Sequence, residues 1–175
     1  SLVLPDKWTF AIGGSGIAAH KAGAAKEAYN RAADLMAAWD AGDRSEAAER
    51  RRAHFVAEDQ LVDEAAESLR RGDFDAFASS VLQSQRLGVE QLENQIPETV
   101  ALAEAALACG ARCASAFGAG FGGSVWALVS SEEAEGFLDT WRRAYADRFS
   151  EAASRGTFFA TRPGPAAFRL ALGPG

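Results

Sequence analysis

Residues 118–123 read GAGFGG, and the chain runs from these glycines straight into SVWALV at residues 124–129. That second segment is rich in β-branched and aromatic side chains, which favours a buried strand. A short extended segment, Cys113–Phe117, precedes the glycines, so the pattern predicts two antiparallel strands joined by a tight loop. A dinucleotide-binding GxGxxG turn needs a helix directly after its glycines. The sequence therefore argues against a nicotinamide or flavin site at this loop.

The rest of the chain shows helical periodicity between two further apolar runs that are typical of strands, Trp8–Ile12 and Thr157–Thr161. Helices are predicted over Ile17–Trp39, from Phe55 to a left-handed cap at Gly72, from a cap at Asp73 to before Asn94, from Pro97 to Gly110, and over Glu132–Ser150. Two of their inner faces are expected to comprise Val62, Ala65, Ala66 and Leu69, and Phe74, Phe77, Ala78, Val81 and Leu82.

The order of these elements predicts the fold class. Helical segments between strands, together with a tight glycine turn joining two adjacent strands, indicate an α+β fold. We expect a single domain over residues 1–175, with helices packed on one face of a mainly antiparallel sheet.

A second glycine run, GSGIAA at residues 14–19, also has the form of a nucleotide-binding turn. It lies between a predicted strand and a predicted helix, which is the better context for such a turn. The charged stretch AGDRSEAAERRR follows that helix where a second parallel strand would be required. The run is therefore interpreted as a turn that leads the chain into a helix, with an isolated nucleotide site as the open alternative.

Net charge excludes some classes of partner. The chain carries a formal charge of −6, so we expect neither nucleic acid nor an anionic membrane surface as a partner. The basic cluster Arg50–Arg52 is interpreted as a solvated helix face among acidic neighbours. Cys109 and Cys113 lack the spacing of a metal or redox motif, so they are expected to be neutral thiols.

The first residues, SLVLPDKWTF, contain neither a starting Met nor the basic and apolar regions of a signal peptide. We expect this chain to be part of a longer polypeptide, located in the cytoplasm.

Four stretches carry a resemblance to a known family. GAGFGGSVWALV closely resembles the third conserved motif of the GHMP kinases, and the galactokinase branch is the nearest match. AKEAYNR, GDFDAFASSVLQSQRLG and IPETVALAEAAL are similar to galactokinase segments and occur in the same order. The resemblance covers about Trp8 to Thr161 and concerns the C-terminal domain alone.

The resemblance implies a ferredoxin-like domain that forms the substrate side of an ATP-dependent sugar kinase. The enzyme would transfer the γ-phosphate of ATP to a sugar hydroxyl, with ATP and Mg²⁺ bound mainly by an N-terminal domain absent from this chain. That N-terminal domain and a small sugar are the implied partners. If the chain is separated from it, the exposed inter-domain face should promote self-association. The alternative is a free-standing binding or interaction domain that keeps the fold without catalysis.

The resemblance also implies site residues. Tyr29 matches a tyrosine that contacts the sugar, and its alternative role is that of a core side chain. The loop beside the transferred phosphate is matched by Gly118, Gly120, Gly122, Gly123 and Ser124. Taken alone, the loop has the alternative role of a tight hairpin turn that binds no ligand. The chain departs from galactokinases at Ala32, Ala33, Gln85, Ser115 and Phe117, so galactose is only the first substrate to consider.

No catalytic residue and no metal ligand is assigned in this chain. It contains no loop like the Gly-Leu-Ser-Ser-Ser phosphate loop of the family, and His20 and His54 have no nucleophile pattern beside them. The acidic pairs Glu64 with Glu67 and Glu132 with Glu133 have the spacing of solvated helix charges. We therefore expect the chain alone to be inactive.

Overall fold

The computed structural model describes residues 4–19, 24–118 and 120–164. Four strands form one sheet: β1 (Trp8–Gly14), β2 (Cys113–Ala116), β3 (Ser124–Ser130) and β4 (Phe158–Thr161). The helices are α1 (Ala24–Asp40), α2 (Glu46–Arg71), α3 (Phe74–Leu87), α4 (Pro97–Ala108), α5 (Ala134–Arg148) and α6 (Ser150–Arg155), and a π-helical turn (Gly88–Leu92) follows α3.

The strand order is β2-β3-β1-β4, and each of these neighbouring pairs is antiparallel. The β2–β3 hairpin is the one that the glycine pattern predicts, and β1 lies between β3 and β4. This is the order of a ferredoxin-like sheet, in which helical connections separate β1 from β2 and β3 from β4. The α+β fold with an antiparallel sheet is therefore confirmed.

The helices, however, cover both faces of the sheet, where one face was expected. On one face, Ala11, Val125 and Ala127 pack with residues of α4 and α5. On the other face, Cys113 and Leu128 pack with α3. Because successive side chains of a strand point to opposite faces, the unbroken apolar run of β3 requires cover on both sides.

The helix ends follow local capping chemistry. Ser45 caps α2 by accepting the Ala48 N–H, and Gly72 ends this helix with φ of 70°. The Asp73 side chain then accepts the Ala76 N–H at 3.0 Å and begins α3. The Gly72 and Asp73 predictions are confirmed. The predicted start of α2 at Phe55 is wrong, because the Ser45 cap begins the helix at Glu46.

Two sequence predictions about helices are wrong. Residues 17–19 are not helical, because the Ile17 carbonyl accepts a hydrogen bond from Gly123 in the glycine loop. Val62 and Leu82 are 60% and 37% exposed, although the periodicity placed them inside. Among the described residues, the outer side of the α2–α3 pair has no further layer to cover them, whereas Phe74, Phe77, Ala78 and Val81 are buried as predicted.

His54 of α2 is a buried side chain that contacts Arg51, so its role is structural. The Arg51 guanidinium lies 3.0 Å from His54 Nδ1 and donates to the Ala32 carbonyl of α1 at 3.1 Å. Arginine can only donate, so Nδ1 accepts and the imidazole is neutral with its proton on Nε2. Arg51 is thus a link between two helices. Arg52 is half-buried with its guanidinium over the Trp39 ring of α1, and Arg50 is exposed, as expected of a solvated face.

Stability should fall as the pH is lowered because of His54. Burial, and secondarily Arg51, lowers the pKa of His54, while Glu58 opposes the shift. Below about pH 6.5, the usual pKa of histidine in an unfolded chain, the unfolded state binds a proton at His54 and the folded state does not. The free energy of unfolding therefore decreases as the pH falls, until the pH passes the lower pKa that His54 has in the folded state. Urea denaturation between about pH 7.5 and pH 5 should show this slope, and His54→Gln should reduce it. An identical pH dependence in the variant would contradict the assignment.

Within the described residues, no helix combines the length and apolarity needed to cross a membrane.

Candidate functional site

The glycine loop (residues 117–123) connects β2 to β3 and contains an unusual amount of left-handed backbone. The φ angles of Gly118, Gly120, Gly122 and Gly123 are 65°, 87°, 127° and 87°. Phe121 adopts 60°, although it has a side chain that disfavours this region. A strand follows the loop, as predicted, so its amides do not open a helix as in a dinucleotide turn.

Two of the loop glycines allow the loop to pack against other backbone. A Cβ on Gly120 would lie 2.0 Å from the Asn94 carbonyl oxygen, and one on Gly122 would lie 2.8 Å from the Ile17 carbonyl oxygen. Both glycines are buried. Their lack of a side chain therefore serves chain packing.

The other two glycines have free space beside them. No described atom lies within 4 Å of a Cβ built on Gly118 or on Gly123. Gly118 is exposed and Gly123 is half-buried. These two positions leave room for a ligand to approach the backbone, which the sequence alone could not separate from the packing positions.

Main-chain hydrogen bonds anchor the loop on both sides. The Phe121 N–H donates to the Asn94 carbonyl at 2.6 Å, and the Gly123 N–H donates to the Ile17 carbonyl at 2.9 Å. The Ser15 N–H donates to the Gly123 carbonyl at 2.8 Å. The second glycine run, residues 14–19, is thus the backbone partner of the glycine loop.

Tyr145 of α5 supports this contact from the core of the domain, although no motif in the sequence singles it out. Its hydroxyl donates to the Ser15 carbonyl at 2.7 Å, and its side chain is fully buried. Burial, with a smaller contribution from Glu98, raises the pKa of Tyr145 to about 12. The phenol is therefore protonated and able to donate at neutral pH.

Tyr145→Phe should weaken the fold beneath the glycine loop. The substitution leaves the buried Ser15 carbonyl without its hydroxyl donor, which should lower the free energy of unfolding by about 1–3 kcal/mol. Urea denaturation measures the change. Thr140→Val on the same helix is the matched control, because its hydroxyl donates at an exposed position. Equal losses in the two variants would contradict a specific role for the Tyr145 hydroxyl.

The start of the loop is held by a side chain of α3. Gln85 Oε1 accepts the Ala116 N–H at 2.9 Å and the Ser115 hydroxyl at 3.2 Å. Phe117, the next loop residue, is 46% exposed. Gln85, Ser115 and Phe117, which the resemblance marks as departures from the family pattern, therefore lie together at the beginning of the loop.

Of the remaining predicted site residues, the structure describes the side chain of Ser124 but not that of Tyr29. Tyr29 belongs to α1, but its side chain lies outside the described residues, as does His20. Ser124 is half-buried at the start of β3, where it pairs with Gly14. The structure thus brings Ser124 together with the glycines of the loop, and it leaves the relation of Tyr29 to them a prediction.

The other candidate groups lie away from the loop. Glu64 and Glu67 are exposed and bond to neighbours on α2, and Glu132 and Glu133 are exposed as well. Both cysteines are free, and burial raises the pKa of Cys113 to about 12, which confirms a neutral thiol. Among residues 4–19, 24–118 and 120–164, no three acidic, histidine or cysteine side chains are grouped to hold a metal ion.

A groove of about 840 Å³ lies between α2 and α3 and does not include the glycine loop. It is lined by Leu61, Asp63, Glu64, Glu67, Ser68, Arg71, Ala76, Ser79, Ser80 and Gln83. It is a wide surface depression with charges of both signs. We therefore regard the glycine loop, and not this groove, as the candidate site.

Comparison with known proteins relates the chain to one family. Residues 65–147 match the family model described as GHMP kinases C terminal. Human galactokinase is 38% identical over 86 residues, which are 49% of this chain and 22% of that protein. The chain therefore spans a minor part of this relative.

Solved structures share the fold over nearly the whole chain. Lactococcus lactis galactokinase, determined in complex with galactose, superposes with a TM-score of 0.76 and 19% identity, covering 94% of this chain and 47% of that one. Leishmania major mevalonate kinase superposes with a TM-score of 0.60 and 18% identity, covering 91% of this chain and 44% of that one. The sequence match and the shared fold agree. Residues 65–147 are thus similar in sequence to the C-terminal domain of GHMP kinases, and the chain shares the fold of galactokinase and mevalonate kinase.

Proposed function

We propose that this chain is the C-terminal, substrate-side part of an ATP-dependent sugar kinase of the galactokinase type. In this proposal the enzyme transfers the γ-phosphate of ATP to a sugar hydroxyl at a site between two domains. The observation that carries the proposal is the glycine loop, a β-hairpin turn that is anchored by main-chain hydrogen bonds and has free space at Gly118 and Gly123.

Phosphoryl transfer depends mainly on positioning and on stabilising the charge of the transferred group. A loop whose backbone is fixed on both sides provides N–H groups that need not reorganise when a phosphate oxygen approaches. Free space beside Gly118 and Gly123 would permit that approach, and Ser124 adds a hydroxyl at the end of the loop. Tyr29 of α1 is the proposed sugar contact, through its ring and its hydroxyl.

ATP and Mg²⁺ are proposed to be held mainly by an N-terminal domain. The backbone of the glycine loop is suited to a phosphate, but the described residues contain no cluster of metal ligands. ATP with Mg²⁺ supplies the transferable phosphoryl group and neutralises its charge. The chain alone is therefore proposed to lack turnover.

Exposed aromatic side chains near the loop support a partner domain. Phe117 begins the loop and is 46% exposed, and Phe159 of β4 is 47% exposed. Phe159 pairs with Ile12, which pairs with Trp126 of β3 near the loop end of the sheet. Large exposed apolar groups close to a candidate site are suited to contact with another domain, and without it they would favour self-association.

The experiment compares the full-length polypeptide with residues 1–175 alone. Both are incubated with ATP, Mg²⁺ and a panel of hexoses, and ADP and sugar phosphate are quantified. We expect phosphorylation by the full-length protein and none above background by residues 1–175. A thermal shift induced by a sugar without any ADP would support the binding-domain alternative, and robust turnover by residues 1–175 would contradict the assignment of catalysis to the other domain.

A further inference from the structure

The glycine loop has two anchors on one neighbouring segment of the chain. Gln85 holds its beginning through the Ala116 N–H, and the Asn94 carbonyl holds its middle through the Phe121 N–H. The π-helical turn Gly88–Leu92 lies between the two anchors. We call the segment from Gln85 to Asn94 the brace.

The chemistry of the Gln85 contact fixes its orientation. The Ala116 N–H can only donate, so the side-chain atom that it meets must be an oxygen. The same oxygen accepts the Ser115 hydroxyl. In these two contacts Gln85 is the acceptor, so a glutamate at this position would keep both hydrogen bonds while a leucine would remove both.

Backbone strain is concentrated at the second anchor. Glu93 and Phe121 are the two non-glycine residues with positive φ among those described, at 53° and 60°. Phe121 donates to the Asn94 carbonyl, and Asn94 directly follows Glu93. Non-glycine residues persist in this conformation only when their surroundings enforce it, and such strain is concentrated at functional sites.

The π-helical turn explains how Asn94 reaches the loop. The Asn94 N–H returns to the Gly88 carbonyl at 3.3 Å, which closes the turn and directs the chain out of the helix. Gln95 Nε2 donates to Asn94 Oδ1 at 3.0 Å, and Thr99 in turn donates to Gln95 Oε1 at 3.0 Å. Asn94 itself is buried, so its carbonyl is held at a fixed place against Gly120. Turns of this type are frequent at functional sites.

We propose that Gln85 and the Glu93–Asn94 turn are positioning elements that set the conformation of the glycine loop for phosphoryl transfer. This proposal rests on the proposed function. Gln85 does not need to touch a substrate, because it acts through the Ala116 and Ser115 groups that lead into the loop. Losing this anchor would leave ligand binding by the other domain intact and misplace the loop during the reaction.

The test uses the full-length protein with Gln85→Leu, Gln85→Glu and the control Gln83→Leu, which lies on α3 and takes part in neither anchor. Steady-state kinetics with ATP and the sugar separate kcat from KM. Gln85→Leu should lower kcat by about 10- to 100-fold with little change in KM for ATP, since a small misplacement of a reacting group has effects of this size. Gln85→Glu should restore most of the loss, and Gln83→Leu should behave as the wild type.

Hydrogen exchange provides a readout that does not need turnover. The Ala116 and Phe121 amides should exchange faster in Gln85→Leu than in the wild type and the Gln85→Glu variant. If the wild-type enzyme phosphorylates no sugar, the proposed function fails while exchange still tests the brace. Unchanged exchange and unchanged kcat in Gln85→Leu would overturn the proposal, as would an equal loss of kcat in the leucine and glutamate variants.

Discussion

Trp141→Ala is expected to lower the free energy of unfolding by about 3–5 kcal/mol, because it removes a large aromatic side chain from the core. The indole is fully buried between α5 and the sheet. Its ring centroid lies 5.4 Å from that of Phe137 and 5.2 Å from that of Phe158. A domain of this size has about 5–15 kcal/mol of stability in all, so the variant should lose a large share of it.

Urea denaturation followed by far-UV circular dichroism measures this effect without relying on tryptophan fluorescence. Trp141→Phe is the matched variant, since it keeps most of the ring volume and loses the hydrogen bond from Nε1 to the Leu102 carbonyl at 2.9 Å. It should be clearly less destabilised than Trp141→Ala. A loss below about 1 kcal/mol for Trp141→Ala would show that the core can collapse around the cavity and would contradict the packing described.

Gly120→Ala is expected to have the second largest effect. At φ of 87° an alanine is strained by about 1–2 kcal/mol, and its Cβ would lie 2.0 Å from the Asn94 carbonyl oxygen. Since a backbone group must move to relieve this overlap, overpacking adds about 1–3 kcal/mol. The free energy of unfolding measures the sum. In the full-length enzyme, kcat should fall as well, because the Asn94 anchor of the loop is displaced.

Gly123→Ala separates strain from overlap. Gly123 has the same φ of 87°, and no described atom lies within 4 Å of its Cβ. Its loss of stability should therefore be about 1–2 kcal/mol, from strain alone. If the two alanine variants are equally stable, the close approach of Asn94 to Gly120 is wrong.

Much of the fold could be predicted because local chemistry decides it. The strand after the glycines, the left-handed end of α2 at Gly72 and the Asp73 cap each depend on a few neighbouring residues. The errors at Ile17, Val62 and Leu82 have a shared physical origin in tertiary contacts, whereas the start of α2 is set by the local Ser45 cap. Ile17 would suit a helix, but its carbonyl accepts a hydrogen bond from Gly123, which is far away in the sequence.

The glycine loop could be predicted from the sequence, but its contacts with the rest of the domain could not. The sequence pointed to the glycines at 118, 120, 122 and 123 as one group. The structure divides them into two that pack on backbone and two with free space. Periodicity could not reveal this division, nor the hydrogen bond from the Tyr145 hydroxyl to Ser15, because both depend on segments that are distant in sequence.

The sequence by itself determined that the glycine loop joins two strands, because β-branched and aromatic residues after the glycines favour an extended chain. Only the tertiary structure decided what holds the loop, since its anchors come from α3, the Glu93–Asn94 turn and the segment after β1. The physical reason is the range of the interactions. Backbone preference acts between neighbours along the chain, whereas close packing and hydrogen bonding between loops depend on how the whole domain is folded.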